Sequence, residues 1–143
     1  MFNIVLFEPR IPQNAGNIGR LCVATNSILH LVHPLGFHID EKSVKRAGLD
    51  YWDDLHLVEW DNIDTFLENN KDKRIHFLTT KSKKSYFEAT FLYEDFIVFG
   101  REDAGIDEAI LKKYMSGKTR SINLATAVSA VLYEWNSQNL SSD

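Results

Sequence analysis

The sequence predicts a single α/β domain in which a mostly parallel sheet carries helices on both faces. Apolar runs at 4–7, 29–32, 55–58, 75–78 and 96–99 are short and rich in Val, Ile, Leu and Phe. Several show no polar alternation, as expected of strands covered on both sides. Helical spacings fill the intervals, and strands alternating with helices pack as a parallel sheet between helical layers. The 143 residues, 44% hydrophobic and 25% charged, suit one domain spanning 1–143. A chain of that length buries roughly two thirds of its unfolded surface, enough for a real core. Composition excludes a disordered, collagen-like or disulfide-scaffold protein. Cys22 is the single cysteine and has no intramolecular partner, and no Cys/His spacing suits zinc. The net charge of −4 argues against a nonspecific nucleic-acid coat but is silent on local patches.

The first strand begins almost at Met1. The apolar stretch there is too short for a signal peptide and lacks its basic start and cleavage site. No run approaches the roughly 18 apolar residues that span a bilayer, so a cytoplasmic protein without membrane contact is expected. Pro9-Arg10-Ile11-Pro12-Gln13-Asn14-Ala15-Gly16-Asn17-Ile18-Gly19-Arg20 follows. Its two prolines keep the chain extended, and Asn14 suits the N-cap of a helix over 17–25. Asn17 and Arg20, three residues apart, share one helix face, while Ile18, Leu21, Cys22 and Thr25 form the buried stripe. By itself this segment reads more simply as a capped helix with a solvated arginine. Helices are also predicted over 61–70 and 106–114.

Ligands of such sheets bind beyond the carboxyl ends of the strands. Phe99-Gly100-Arg101-Glu102-Asp103-Ala104-Gly105 lies there, running from an apolar strand into a glycine-bounded loop. Gly100 allows a ligand to approach the backbone closely, and Gly105 can take a conformation closed to other residues. The loop is neither a Walker nor a dinucleotide fingerprint, and a plain turn remains open. Thr119-Arg120-Ser121-Ile122-Asn123-Leu124 is expected to enter the last helix, with Ser121 or Asn123 as its N-cap or as a ligand contact. That helix is marked by Leu124, Val128, Val131, Leu132 and Trp135 on one stripe and runs to about residue 139.

Four clusters hold 13 of the 16 cationic residues. They are Lys42, Lys45 and Arg46; Lys71, Lys73 and Arg74; Lys81, Lys83 and Lys84; and Lys112, Lys113, Lys118 and Arg120. Each is ordinarily a solvated face, but Lys81-Ser82-Lys83-Lys84-Ser85 follows a strand directly, and phosphate contact needs such cation density. The five histidines show no ligand spacing, and no metal is expected.

Taken in order, these segments resemble the SPOUT superfamily of knotted RNA methyltransferases. The nearest match is the subgroup that 2′-O-methylates the wobble pyrimidine of tRNA. The resemblance spans nearly the whole chain. It includes Asn3-Ile4-Val5-Leu6-Phe7-Glu8-Pro9, Ile11-Pro12-Gln13-Asn14, Gly16-Asn17-Ile18 with Arg20-Leu21-Cys22, and Leu29-His30-Leu31. His33-Pro34-Leu35-Gly36-Phe37, Lys45-Arg46-Ala47-Gly48-Leu49-Asp50-Tyr51 and Leu78-Thr79-Thr80-Lys81 continue it. Phe99-Gly100 with Glu102 and Gly105, then Arg120-Ser121 with Asn123-Leu124 and Ala127-Val128, complete it. No single motif is specific; the ordered set is.

The resemblance implies a C-terminal deep trefoil knot, which no periodicity would suggest because knots are so rare. It implies S-adenosylmethionine held by Leu78, Thr79, Gly100, Glu102, Gly105, Met115, Ser121, Asn123 and Leu124. It also implies a homodimer whose RNA site spans both subunits, with Tyr133 and Trp135 on the dimerising helix. The substrate would be a tRNA anticodon stem-loop, contacted by Lys45, Arg46, Lys81, Lys83 and Arg120. Arg20, Asn17 and Asn14 would be the catalytic group. A guanidinium is a poor base because it holds its proton. Arg20 is therefore expected to bind the adjacent phosphate and stabilise developing negative charge, with Asn14, Asn17 and Ser121 positioning the nucleotide.

This sequence departs from the family at Ala15, Ala24 and Ala125-Thr126, where hydrogen-bonding side chains are usual. Between Tyr114 and Arg120 it is also expected to be short of about one strand. Either that segment is naturally deleted, or residues of a mobile cofactor loop are missing from the sequence; the second is preferred. Two other readings follow: a knotted RNA-binding dimer with impaired catalysis, and a 2′-O-methyltransferase acting on ribosomal RNA.

Overall fold

The computed structural model describes residues 2–46, 50–79, 92–101, 104–106, 109–110 and 119–123. Six strands form one sheet: β1 (Phe2–Phe7), β2 (Ser27–Val32), β3 (His56–Trp60), β4 (Ile75–Thr79), β5 (Phe96–Phe99) and β6 (Thr119–Asn123). Their spatial order is β3-β2-β1-β5-β4-β6. All five neighbouring pairs are parallel. Three helices are described, α1 (Pro12–Ala24), α2 (Glu41–Arg46) and α3 (Ile63–Asn69), with a 3₁₀ turn at Trp52–Asp54.

Alternation within the strands divides the apolar side chains between two cores. Phe2, Ile4 and Leu6 of β1 join Leu29, Leu31, Leu78, Ile97 and Phe99 against Ala15 and Cys22 of α1. Val5 and Phe7 join Val32, Phe77, Phe96 and Val98 against Ile63, Phe66 and Leu67 of α3. Helices therefore cover both faces, which is why the runs lack polar alternation. Ile106 and Ile110 pack on the α3 side.

Several boundaries differ from the sequence expectation. The first helix begins at Pro12 rather than at residue 17, so Asn14 lies inside α1 and is not its cap. Ile11 is the N-cap residue, without a side-chain cap bond, and Pro12 at the first position supplies a preset helical φ. The third strand sits at His56–Trp60 instead of 55–58. The helix expected over 61–70 is α3, capped by Asn62, whose side chain accepts the Thr65 N–H at 2.7 Å.

The largest correction concerns Thr119–Asn123. It is not a loop entering a helix but strand β6, in register with β4 from Ile75↔Thr119 to Thr79↔Asn123. The segment before it, expected to be short of about one strand, lies outside the described residues from 111 to 118. Strand β6 is built from the motif residues Thr119-Arg120-Ser121-Ile122-Asn123 themselves. Within the predicted helix at 106–114, residues 109–110 are helical and 111–114 lie outside the described residues. The last helix, with Tyr133 and Trp135, also lies outside them.

Candidate functional site

The strand order decides where chemistry can gather. From β1 the chain steps outward to β2 and β3 on one side, while β5, β4 and β6 lie on the other. The change of direction between β1 and β5 is where ligands bind in such sheets.

At that point Glu8 leaves β1 with a left-handed φ of 45°. Its N–H donates to the Val32 carbonyl at 2.9 Å. Its carboxylate lies 3.9 Å from Arg10 and 3.7 Å from Arg101, joining the end of β1 to the loop after β5. Arg10 also donates to the Glu8 carbonyl at 2.9 Å and to the Pro34 carbonyl. Gly36 fits against this stretch because a Cβ there would stand 2.8 Å from the Arg10 Cα.

The Gly100 loop closes on itself. Arg101 donates to the Gly105 carbonyl at 3.0 Å, and Gly105 donates back at 2.8 Å. A Cβ on Gly100 would come within 2.5 Å of the Gly105 carbonyl carbon. The chain's own backbone therefore makes a close approach to Gly100. Gly105 has φ 69°, the left-handed conformation its position predicted, and the space where its Cβ would stand is open.

Strands β5, β4 and β6 are neighbours, with Leu78 beside Phe99 and Thr79 beside Asn123. The structure thereby brings Leu78, Thr79, Gly100 and Asn123 to one carboxyl edge. Ser121 lies mid-strand opposite Phe77, and Arg120 lies opposite His76 in the half of β6 away from that edge. Glu102, Met115 and Leu124 lie outside the described residues, as do Lys81 and Lys83.

A cleft of about 420 Å³ opens at the start of α1, between that helix and residues 37–52. Gln13, Asn17 and Arg20 line one wall; Phe37, Ile39 and Trp52 line the other. Its volume falls in the range of small-ligand sites, roughly 300–1,000 Å³. Asn17 and Arg20 share one exposed face of α1, as their spacing predicted. Asn14 is exposed on the same first turns of the helix. Ala15 is buried at 2% exposure, while Ala24 is exposed at the far end of α1. Ser43 of α2 completes the rim. Asp40 caps that helix, accepting the Ser43 N–H at 2.6 Å. Hydrogen bonds from Ser43 hold the Asp40 carboxyl below the ordinary carboxylate range. Helix α2 also carries Lys45 and the exposed Arg46, two of the predicted RNA-contacting cations, on the element whose Ser43 reaches the cleft rim.

Sequence reasoning gave Tyr51, Phe37 and Trp52 no role. The Arg20 guanidinium stands 5.0 Å from the centroid of the Tyr51 ring. The Tyr51 hydroxyl donates to the Gly16 carbonyl one turn earlier in α1. Burial raises the Tyr51 pKa, which keeps the phenol protonated as a donor, although the Arg20 charge pulls the other way. Phe37 and Ile39, two apart in the segment before α2, give a signal that would have been readable. Tyr51 gives none, because nothing local links it to α1.

The remaining polar groups serve the fold. His30 Nε2 meets Asn3 Oδ1 at 2.9 Å, and Trp60 Nε1 donates to His30 Nδ1 at 3.1 Å. His76 and Arg74 hold Asp95 at 2.9 and 3.3 Å near the amino ends of β4 and β5. Cys22 is buried, and burial pushes its thiol up to about 12, so it behaves as a core residue. Among the described residues no His/Cys/Asp/Glu group has metal-site geometry, and no helix is long and apolar enough to cross a membrane.

Known proteins are similar to this chain in sequence and fold. Residues 1–133 match the SpoU rRNA Methylase family. The chain is 42% identical to a tRNA (cytidine(34)-2′-O)-methyltransferase of Saccharophagus degradans, over 94% of this chain and 93% of that protein. A solved structure described as giving insights into the 2′-OH methylation of C/U34 on tRNA superposes with a TM-score of 0.84 at 37% identity, over 100% of this chain and 98% of that one. The fold extends to the methyltransferase AviRb of Streptomyces viridochromogenes in complex with AdoMet. There the TM-score is 0.71 at 20% identity, over 95% of this chain and 59% of that chain.

Proposed function

The chain belongs to the SpoU methylase family, and on that premise we propose that it 2′-O-methylates the wobble pyrimidine ribose of a tRNA anticodon loop, with S-adenosylmethionine as methyl donor. The observation that carries this is the 42% identity, nearly end to end in both chains, to an enzyme named for that reaction. A ribosomal-RNA methyltransferase with an added RNA-binding domain is less well supported, since the relative matched over 93% of its length has little room for one.

The residues present fit the donor at the carboxyl ends of β5, β4 and β6. Three segments distant in sequence adjoin there, and Gly105 presents open backbone. Leu78, Thr79, Gly100, Glu102, Gly105, Met115, Ser121, Asn123 and Leu124 would hold it. Bound there, S-adenosylmethionine supplies an activated methyl electrophile. The chain's own task is then alignment, because proximity and orientation account for much of such a barrier. Asn17, which lines the cleft, and Asn14, exposed on the neighbouring turn outside its lining, orient the nucleotide, and Arg20 holds the neighbouring phosphate and offsets negative charge building on the 2′ oxygen. The ribose 2′ oxygen would take the methyl group and give up its proton to solvent, the donor leaving as its neutral thioether. That same oxygen makes the reaction RNA-specific, because DNA lacks it.

The protein further acts as a single-domain cytoplasmic homodimer with a C-terminal trefoil knot. Its RNA surface, drawn from Lys45, Arg46, Lys81, Lys83 and Arg120, spans both subunits. The family resemblance supports these assignments, and the position of α2 at the cleft supports Lys45 and Arg46.

Purified protein and S-adenosylmethionine incubated with bulk tRNA from a strain lacking the protein provide the test, followed by mapping of the modified nucleotide. A 2′-O-methylated pyrimidine at the wobble position is expected. RNA binding without transfer would instead identify a catalytically impaired dimer, and transfer only to ribosomal RNA would change the substrate.

A further inference from the structure

We infer that Tyr51 is the positioning residue that sets the Arg20 guanidinium for methyl transfer; the inference rests on the reading of Arg20 given above. Two contacts attach Tyr51 to α1. Its ring lies 5.0 Å from the Arg20 guanidinium, within the roughly 6 Å reach of a cation–π contact. Its hydroxyl donates to the Gly16 carbonyl. The ring is thus fixed by one turn of α1 and carries the cation of the next. Gly19 keeps the intervening surface low: a Cβ there would already touch Tyr51 Cε2 and the hydroxyl at 3.4 Å.

An exposed arginine has several rotatable bonds and would otherwise sample many positions. An aromatic face selects those that keep the guanidinium over the ring, at the wall of the cleft shared with Asn17. The order imposed this way is conformational and leaves the chemistry to Arg20. Tyr51 lies 31 residues after Arg20, beyond α2, and adjoins Trp52 on the opposite cleft wall. It therefore couples the two walls, so a shift of 37–52 relative to α1 would move the cation as well.

The variants Tyr51→Leu and Tyr51→Phe test this. Each is measured for thermal melting, S-adenosylmethionine binding by calorimetry, and kcat with bulk tRNA from a strain lacking the protein. The Arg20 side-chain proton shifts are measured by NMR, because protons over a ring face move upfield. Tyr51→Leu is expected to keep its cofactor affinity, lose the upfield shift, and lose about 10- to 100-fold in kcat, the scale of a misplaced catalytic group. Tyr51→Phe is expected to keep the shift and most of kcat. A folded Tyr51→Leu with wild-type kcat overturns the assignment. If Tyr51→Leu does not fold, Tyr51→Phe decides: a lost kcat with the shift retained overturns it, and retention of both supports it. A wild-type chain that transfers no methyl group overturns the proposed function together with this assignment, whereas an active wild type with an unaffected Tyr51→Leu overturns the assignment alone.

Discussion

Position 100 must carry only a hydrogen. In Gly100→Ala the new methyl would stand 2.5 Å from the Gly105 carbonyl carbon and 2.8 Å from the Ile106 nitrogen. Both obstacles are backbone, so the loop itself must move. A loss of about 1–3 kcal/mol in stability is expected, in the range of overpacked sites, and chemical denaturation would measure it. Methyl transfer should fall with it, because the loop leaves β5 beside the proposed cofactor edge. Arg20→Ala acts differently. The side chain is exposed on α1, so the variant should fold, bind S-adenosylmethionine as wild type does, and transfer no methyl group. Calorimetry beside a transfer assay checks both halves; undiminished transfer would refute the role given to Arg20.

Among the elements, α1 shows how far local signals reach. Its apolar stripe was legible because Ile18, Leu21 and Cys22 recur at helical spacing; Cys22 is buried and Ile18 and Leu21 are half-buried against the sheet, while Thr25, expected in the stripe, is the half-buried C-cap. Its start was misread, since Asn14 is a strong capping residue yet Pro12 already occupies the first helical position. Gly16 and Gly19 weaken this helix, each by roughly 0.5–1 kcal/mol relative to alanine. Gly19→Ala is expected to recover most of that amount, because the added methyl meets Tyr51 and Leu55 at ordinary contact distances of 3.4 to 3.5 Å. A higher denaturation midpoint would bear this out. Strand β6 is the opposite case. Thr-Arg-Ser-Ile-Asn has one apolar residue in five, so no periodicity announces a strand; pairing with β4 makes it one. The loop motif could be read as a helix entrance only because sequence gives no register.

For the whole molecule, acid sensitivity follows from the buried His30, which binds two strands and β3 into one polar network. Trp60 donates to its Nδ1, so Nε2 carries the proton toward Asn3 and the ring is neutral. Burial lowers the His30 pKa from 6.5 to about 4. Between those values the unfolded chain binds more protons than the folded one, so stability is fully present above about pH 6.5 and falls as pH drops toward 4. The contribution is on the order of 3 kcal/mol at about 1.4 kcal/mol per pH unit. Urea melts across this window should show the loss, and His30→Gln should flatten it.

The sequence by itself determined the α/β class, the five apolar strands, the shared face of Asn17 and Arg20, and the left-handed Gly105. Each depends on periodicity or backbone chemistry within a few residues. The tertiary structure alone decided the strand order that sets Thr79 beside Asn123, the sixth strand, the closing of the Gly100 loop on its own backbone, and the seat of Arg20 on Tyr51. Those depend on which distant segments meet, and a parallel sheet fixes that through crossovers whose partners no local pattern names.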